Sequence, residues 1–207
     1  MSGSFMDNNT TASTSAGTGN NAPITREELH HRKIDLRFYS RSDGLYEVVA
    51  ELLDTKSHPF KLQLRDEPLP AGAPVHHMIM TMVVDEDLVV KDINAQMKAT
   101  PFGVCLGAQG TLSGVIGLQI GPGWTKKIKD LLGGSASCTH LMELLGPMAT
   151  TAFQGIAPKR LQAVEKPENE HMRVVKVNSC YAYAEHREVI AALWPELHRP
   201  KVHSDKS

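Results

Sequence analysis

Between Ile34 and Lys98 the chain alternates apolar and polar residues in four runs, each bounded by turn-forming residues, with the period of two that half-buried β-strands require. Ile34-Asp35-Leu36-Arg37-Phe38 alternates strictly, Ser40-Arg41-Ser42-Asp43-Gly44 supplies a turn, and Leu45 to Asp54 returns. A β-hairpin is predicted, with Asp-Gly favouring the reversal and Arg41 and Asp43 as turn residues. Lys56 to Pro74 holds four prolines among charged residues and reads as a loop with a short edge strand. Val75 to Val84 follows with Met78, Met80 and Met82 on one face, Asp85-Glu86-Asp87 turns the chain, and Leu88 to Lys98 returns as a second hairpin.

Beyond these strands the pattern changes. Gly103 to Leu118 is small and apolar, which suits a helix or loop packed closely on the sheet, and Gly121-Pro122-Gly123 breaks it. Trp124 to Leu132 is an amphipathic helix. A further helix is predicted from Cys138 to about Gln154, interrupted or kinked at Gly146-Pro147, with Pro158 to Asn169 as a linker. Met172 to Val177 reads as a final strand and Glu185 to Trp194 as a short helix that stops before Pro195. Strands first and helices afterwards give an α+β class, an antiparallel sheet of four or five strands built from two hairpins with helices on one face. Residues 26–200 are expected to form one domain, and the polar segments 1–25 and 201–207 are expected to be disordered tails.

Composition narrows the classes. Of the 207 residues 41% are hydrophobic and 22% charged, an ordinary globular balance. The net charge is −1 without a basic run or aromatic-basic interleaving, so no nucleic-acid partner is expected. The apolar stretches are too short to span a bilayer, and the first residues lack a basic and an apolar signal region, so a cytoplasmic location is expected, with no membrane partner. Three cysteines at irregular spacing fit free or metal-bound thiols better than a disulfide framework.

The chemistry concentrates at Cys138-Thr139-His140, directly after Gly133-Gly134-Ser135-Ala136-Ser137. A helix N-terminus with free N–H groups favours a thiolate, which is both the nucleophile and the metal-binding form of cysteine. With His76 and Cys105 upstream, the candidate metal ligands are His76, Cys105, Cys138 and His140, spaced too widely for a zinc finger and able to meet only in a folded domain. Zinc or iron suits this soft donor set, a single ion better than an iron–sulfur cluster, and three protein ligands would leave a position for water or substrate. His140, Glu143 and His77 are the candidate proton carriers, although strand alternation puts His77 on the face opposite His76. The plainer readings stand beside these. Cys105 and Cys180 suit core filling, the Met78-Met80-Met82 alternation suits sheet core, and Asp54 with Lys56 suits a solvated pair at a strand end.

Arg41-Ser42-Asp43-Gly44-Leu45, Asp54-Thr55-Lys56, His76-His77-Met78, Cys105, Cys138-Thr139-His140-Leu141 and Asn178-Ser179-Cys180 resemble an uncharacterised bacterial family, domain-of-unknown-function family twenty-eight eighty-nine, over roughly residues 30 to 200. That resemblance implies a family and no activity. The order of His76, the acidic Val-Val-Asp-Glu-Asp turn, Cys105 and Cys138 is similar, more distantly, to iron–sulfur scaffold proteins of the IscU/NifU type, and implies a SufE/IscU-like core. On that resemblance His76 stands where the family has its Asp ligand, while Cys105 and Cys138 match its middle and late Cys. The family's first Cys falls near Pro74 and its late His near Ser137, which leaves a three-ligand site.

Three functions follow from these readings. The first is a metal-dependent enzyme acting on a small organic molecule. The second is a metal or iron–sulfur carrier or scaffold that serves partner proteins. The third is a non-catalytic domain without metal. An exposed edge strand of the first hairpin would allow a homo-oligomer.

Overall fold

The computed structural model describes residues 23–166 and 169–201. Most of the two expected tails, at 1–22 and 202–207, and positions 167–168 of the expected linker lie outside the described residues. Four antiparallel strands, β1 (His30–Ser40), β2 (Tyr46–Lys56), β3 (Pro74–Val84) and β4 (Val90–Ala99), form one sheet in the order β1-β2-β3-β4. The α+β architecture and both hairpins agree with the alternation in the sequence. Gly44 takes φ +83°, the left-handed conformation that a turn of this kind requires and that glycine adopts without strain. The long connection from β2 to β3 carries a single bridge between Phe60 and Leu69, the short edge pairing expected there.

Period two sets the inner face of the sheet. Phe38, Val48 and Met82 lie in one cross-strand row, Leu36, Ala50 and Met80 in the next, and Ile34, Leu52 and Met78 in a third. The three methionines, Val48, Ala50 and Leu52 are fully buried, so the methionine alternation is sheet core. The same phase, continued one row further, brings Arg32, Asp54 and His76 side by side. At this end of the sheet the apolar face becomes polar.

Helices cover that face. After β4 comes a 3-10 segment, Gly103–Val115, and Val90 bonds to Leu118 and Gly117, which covers the start of β4. Then come α1 (Trp124–Leu132), α2 (Thr139–Val164), α3 (Glu170–Lys176) and α4 (Glu188–Leu193). Helix α2 lays Leu141, Leu144, Leu145, Met148, Ala152 and Ile156 on the sheet, and Trp124 of α1 donates its indole N–H to Leu145 O at 3.1 Å. Val164, Ile190 and Trp194 make a second, smaller cluster where α4 meets the end of α2.

The structure corrects four expectations. Helix α2 runs unbroken through Pro147 and Pro158 to Val164, so there is neither an interruption at Gly146-Pro147 nor a linker beginning at Pro158. Each proline removes one intrahelical bond, but apolar residues continue past both, packing on the sheet beyond Pro147 and against α4 beyond Pro158, and that packing outweighs the local cost. Met172 to Val177 is not a strand; it lies mainly in α3 and pairs with no strand of the sheet. Val174 and Val175, the residues that suggested a strand, are exposed. Cys180 is exposed as well, on a turn between α3 and α4, and fills no core.

Candidate metal centre

The polar end of the inner face is built by strand register. Asp54 closes the series Val48, Ala50, Leu52, Asp54 on β2, so the alternation that buries the three apolar residues buries the carboxylate too, and it is only 1% exposed. Arg32 is its direct partner on β1 and His76 its direct partner on β3, with a register shift of the β2–β3 pair immediately beyond Asp54. Arg32 takes the carboxylate in a fork, donating from Nε to Oδ1 and from Nη2 to Oδ2, both at 2.8 Å. Two parallel charge-assisted bonds of this kind fix the orientation of the carboxylate as well as neutralising it. Arg32 Nη1 also donates to Glu143 Oε2 at 3.1 Å, tying α2 to the sheet.

The start of α2 supplies the remaining donor. The loop before it is pinned by a 2.6 Å bond between the hydroxyls of Thr111 and Ser137, and Cys138 occupies the N-cap position, its carbonyl accepting the first helical bond from Met142. This sets His140 in the first turn over the polar end of the sheet. Its Nε2 lies 3.7 Å from Asp54 Oδ2, and its Nδ1 lies 3.8 Å from Cys138 Sγ. The two ring nitrogens therefore divide their roles, one toward the carboxylate and one toward the thiol. The His76 ring stands 4.0 Å from the His140 ring, centroid to centroid, and its Nδ1 is 3.2 Å from Asp54 Oδ2. The distance is short enough for a hydrogen bond but the angles are not, so His76 Nδ1 is buried without a hydrogen-bond partner. A lone pair held in this way is available to an ion.

Asp54, His76 and His140 each offer a donor atom, and these atoms lie within 4.8 Å of one another. The protonation states suit cation binding. Burial, then the neighbouring His140, push the His76 imidazole below its ordinary pKa, and burial, then Arg32, do the same for His140. Both rings are thereby biased to the neutral, ligating form. Burial acts to raise the Asp54 carboxyl, but the bonds and charge of Arg32, helped by His30 and His76, outweigh it and hold the group below the usual range. His30, at 3.5 Å from Asp54 Oδ1, is the exposed member of the cluster. A cleft of ≈ 380 Å³ opens over these residues.

Of the residues singled out from sequence, the structure brings together His76 and His140, with Cys138 against the far nitrogen of His140. Cys105 stays half-buried against the main core and is not one of the three converging donors. His77 points to the opposite face of the sheet, where Nε2 meets Glu51 Oε1 at 2.7 Å, away from the centre. Glu143 stands one turn beyond His140 and is engaged by Arg32. Asp54 itself was read as a solvated strand-end residue, and the structure overturns that reading. The phase of the alternation puts Asp54 on the inward face after Val48, Ala50 and Leu52, and Arg32 on the inward face of β1 before Ile34, Leu36 and Phe38, but phase at a strand end does not by itself decide burial.

The class that emerges is an α+β protein with a buried carboxylate–imidazole centre between sheet and helix. The chain belongs to the family described as protein of unknown function (DUF2889), whose model matches residues 30–154, a span that holds every residue of the centre. No curated protein and no solved structure matches it. The similarity to iron–sulfur scaffold proteins has no counterpart in these comparisons. Among the described residues no helix is long and apolar enough to cross a membrane.

Proposed function

We propose that the chain binds a single zinc or iron ion through Asp54, His76 and His140 and acts as a metal-dependent enzyme on a small organic molecule. The observation that carries this reading is the convergence of the three donors, from β2, β3 and the first turn of α2, beneath an open cleft. Two imidazoles and one carboxylate fit zinc or non-haem iron, and three protein donors leave further positions for water or substrate. A bound ion would polarise a carbonyl or lower the pKa of a water.

The chain's own residues have distinct parts in this reading. Arg32 orients Asp54 and keeps it ionised, so that Oδ2 faces the two imidazoles. Cys138 supports His140 from its far nitrogen, as an outer partner that sets ring orientation. His30, half-exposed at the cleft mouth and beside Asp54, is the imidazole placed to exchange protons with solvent. Glu143 is held on Arg32, and His77 lies on the other face, which turns the proton-carrying role away from both. A cluster scaffold would want thiolates at the point of convergence, whereas the converging donors are oxygen and nitrogen, which favours a mononuclear centre.

Elemental analysis of the purified protein, with a sulfide assay, tests the reading. About one zinc or iron per chain, without sulfide, is expected in the wild type and in His77→Ala, with loss in His76→Ala and in His140→Ala. Metal retained in both of the latter variants, or none taken up by the wild type after incubation with zinc and with ferrous iron, overturns it.

A further inference from the structure

The lining of the cleft is of two kinds. Lys56, Lys61 and Arg32 are its cations other than histidine, against the single carboxylate Asp54 among the described lining residues. Arg32 is shared between Asp54 and Glu143, so Lys56 and Lys61 are the cations of the lining that no carboxylate pairs among the described residues. Lys56 Nζ sits 5.4 Å from the centroid of the Phe60 ring, and Lys61 is exposed beside it. Phe60, Leu62, Val75, Pro101 and Phe102 supply the apolar part of the lining. Leu62, Pro101 and Phe102 also line a neighbouring cleft of ≈ 500 Å³, where Leu64 and Leu106 remain exposed. An apolar track of Leu62, Pro101 and Phe102 is therefore shared by the two clefts, the second of which is also lined by Arg65, Lys98 and Thr100.

We infer that the cleft takes an organic anion with an apolar body, its anionic head beside Lys56 and Lys61 and its body on Phe60, Leu62 and Phe102, continuing into the neighbouring cleft. This names the substrate class of the proposed centre and rests on that reading, since a divalent ion ligated by one carboxylate and two neutral imidazoles retains positive charge and would strengthen the preference for an anion. The lysines select sign, and the apolar track selects size. An inorganic anion would leave the track unused, and an amine would meet like charge.

The test uses the full chain, loaded with zinc, and isothermal titration with butanoate, hexanoate, octanoate, octylamine and inorganic phosphate, beside a separate zinc determination. Octanoate is expected to bind, with affinity rising about threefold per added methylene along the series. Its binding should fall roughly tenfold when Lys56→Gln and Lys61→Gln are combined and persist in Lys61→Arg, which keeps the charge and shows that the fold is intact. Octylamine bound as tightly as octanoate, no gain with chain length, or phosphate bound more tightly than octanoate would overturn the inference. Zinc bound at the centre with no uptake of octanoate overturns this inference alone. Octanoate bound with no zinc at the centre overturns the proposed metal function and leaves the anion cleft standing.

Discussion

Arg32 and Asp54 face each other in direct register across β1 and β2, and the guanidinium holds both carboxylate oxygens at 2.8 Å. Asp54 is buried and Arg32 about one-third exposed, so the pair joins the core of the sheet to its surface. An ionised carboxylate at this depth is tolerable because the two-bonded guanidinium compensates it.

Removing the arginine should therefore cost more than an ordinary surface ion pair. Arg32→Gln is expected to destabilise the protein by about 1–3 kcal/mol, the full penalty for a stranded buried charge being reduced by the exposure of the guanidinium. Glu143→Gln, which removes only the exposed partner, should change stability by about 0.5 kcal/mol or less. Urea denaturation of both variants checks the contrast, and equal effects would show that Asp54 does not depend on the fork.

Metal binding should appear in stability. Anything that binds the native state alone stabilises it by mass action, so zinc at about 100 times its Kd should add roughly 2.7 kcal/mol. The gain should vanish on adding a chelator and be absent in His140→Ala. A Tm that does not respond to zinc in the wild type contradicts the proposed centre.

The interior glycines of α2 should respond differently. At Gly155 an added Cβ would overlap the Phe38 ring of β1, whereas at Gly146 it would meet nothing within 4 Å beyond its own chain neighbours, of which Pro147 disfavours a helical residue with a Cβ before it. Gly155→Ala is expected to cost about 1–3 kcal/mol through overpacking, and Gly146→Ala to change stability by about 1 kcal/mol or less, since reduced backbone freedom and the clash with Pro147 oppose each other. Thermal melts of the two variants measure this directly.

A pH dependence separate from the metal centre is expected at the β3–β4 turn. Asp85 accepts from Val89 N–H at 2.8 Å and pairs with Lys91 Nζ at 2.6 Å. Burial acts to raise its pKa, but Lys91 and the backbone donor outweigh that and hold it below the ordinary value. A carboxyl whose pKa is lower in the folded state contributes stability above its unfolded pKa of about 3.9 and loses it as pH falls through the folded value. Asp85→Asn should thus cost about 1 kcal/mol at pH 7 and progressively less below about pH 4. A difference that stays constant from pH 7 to pH 3 would contradict this assignment.

Much of this protein was legible from residue order. Alternation alone placed the four strands, the two hairpins and the inward methionines, because a period of two with one face buried admits a single register. The helix of Trp124–Leu132 and the start of α2 at Cys138 could be read in the same way, since helix ends and amphipathic stripes are local properties, whereas Cys138 as a ligand was not among the converging donors. His76 and His140 were visible as candidates, though not as neighbours. What the tertiary structure decided was everything that depends on which faces meet. It carried α2 through Pro147, because a stripe of apolar residues on the sheet outweighs local propensity, and through Pro158 into a second cluster with α4. It made a helix of Met172 to Val177, which pairs with no strand of the sheet. It turned Asp54 from a strand-end charge into the centre of the site. A carboxylate's burial depends on the residues opposite it on β1, β3 and α2, and those lie tens of positions away along the chain.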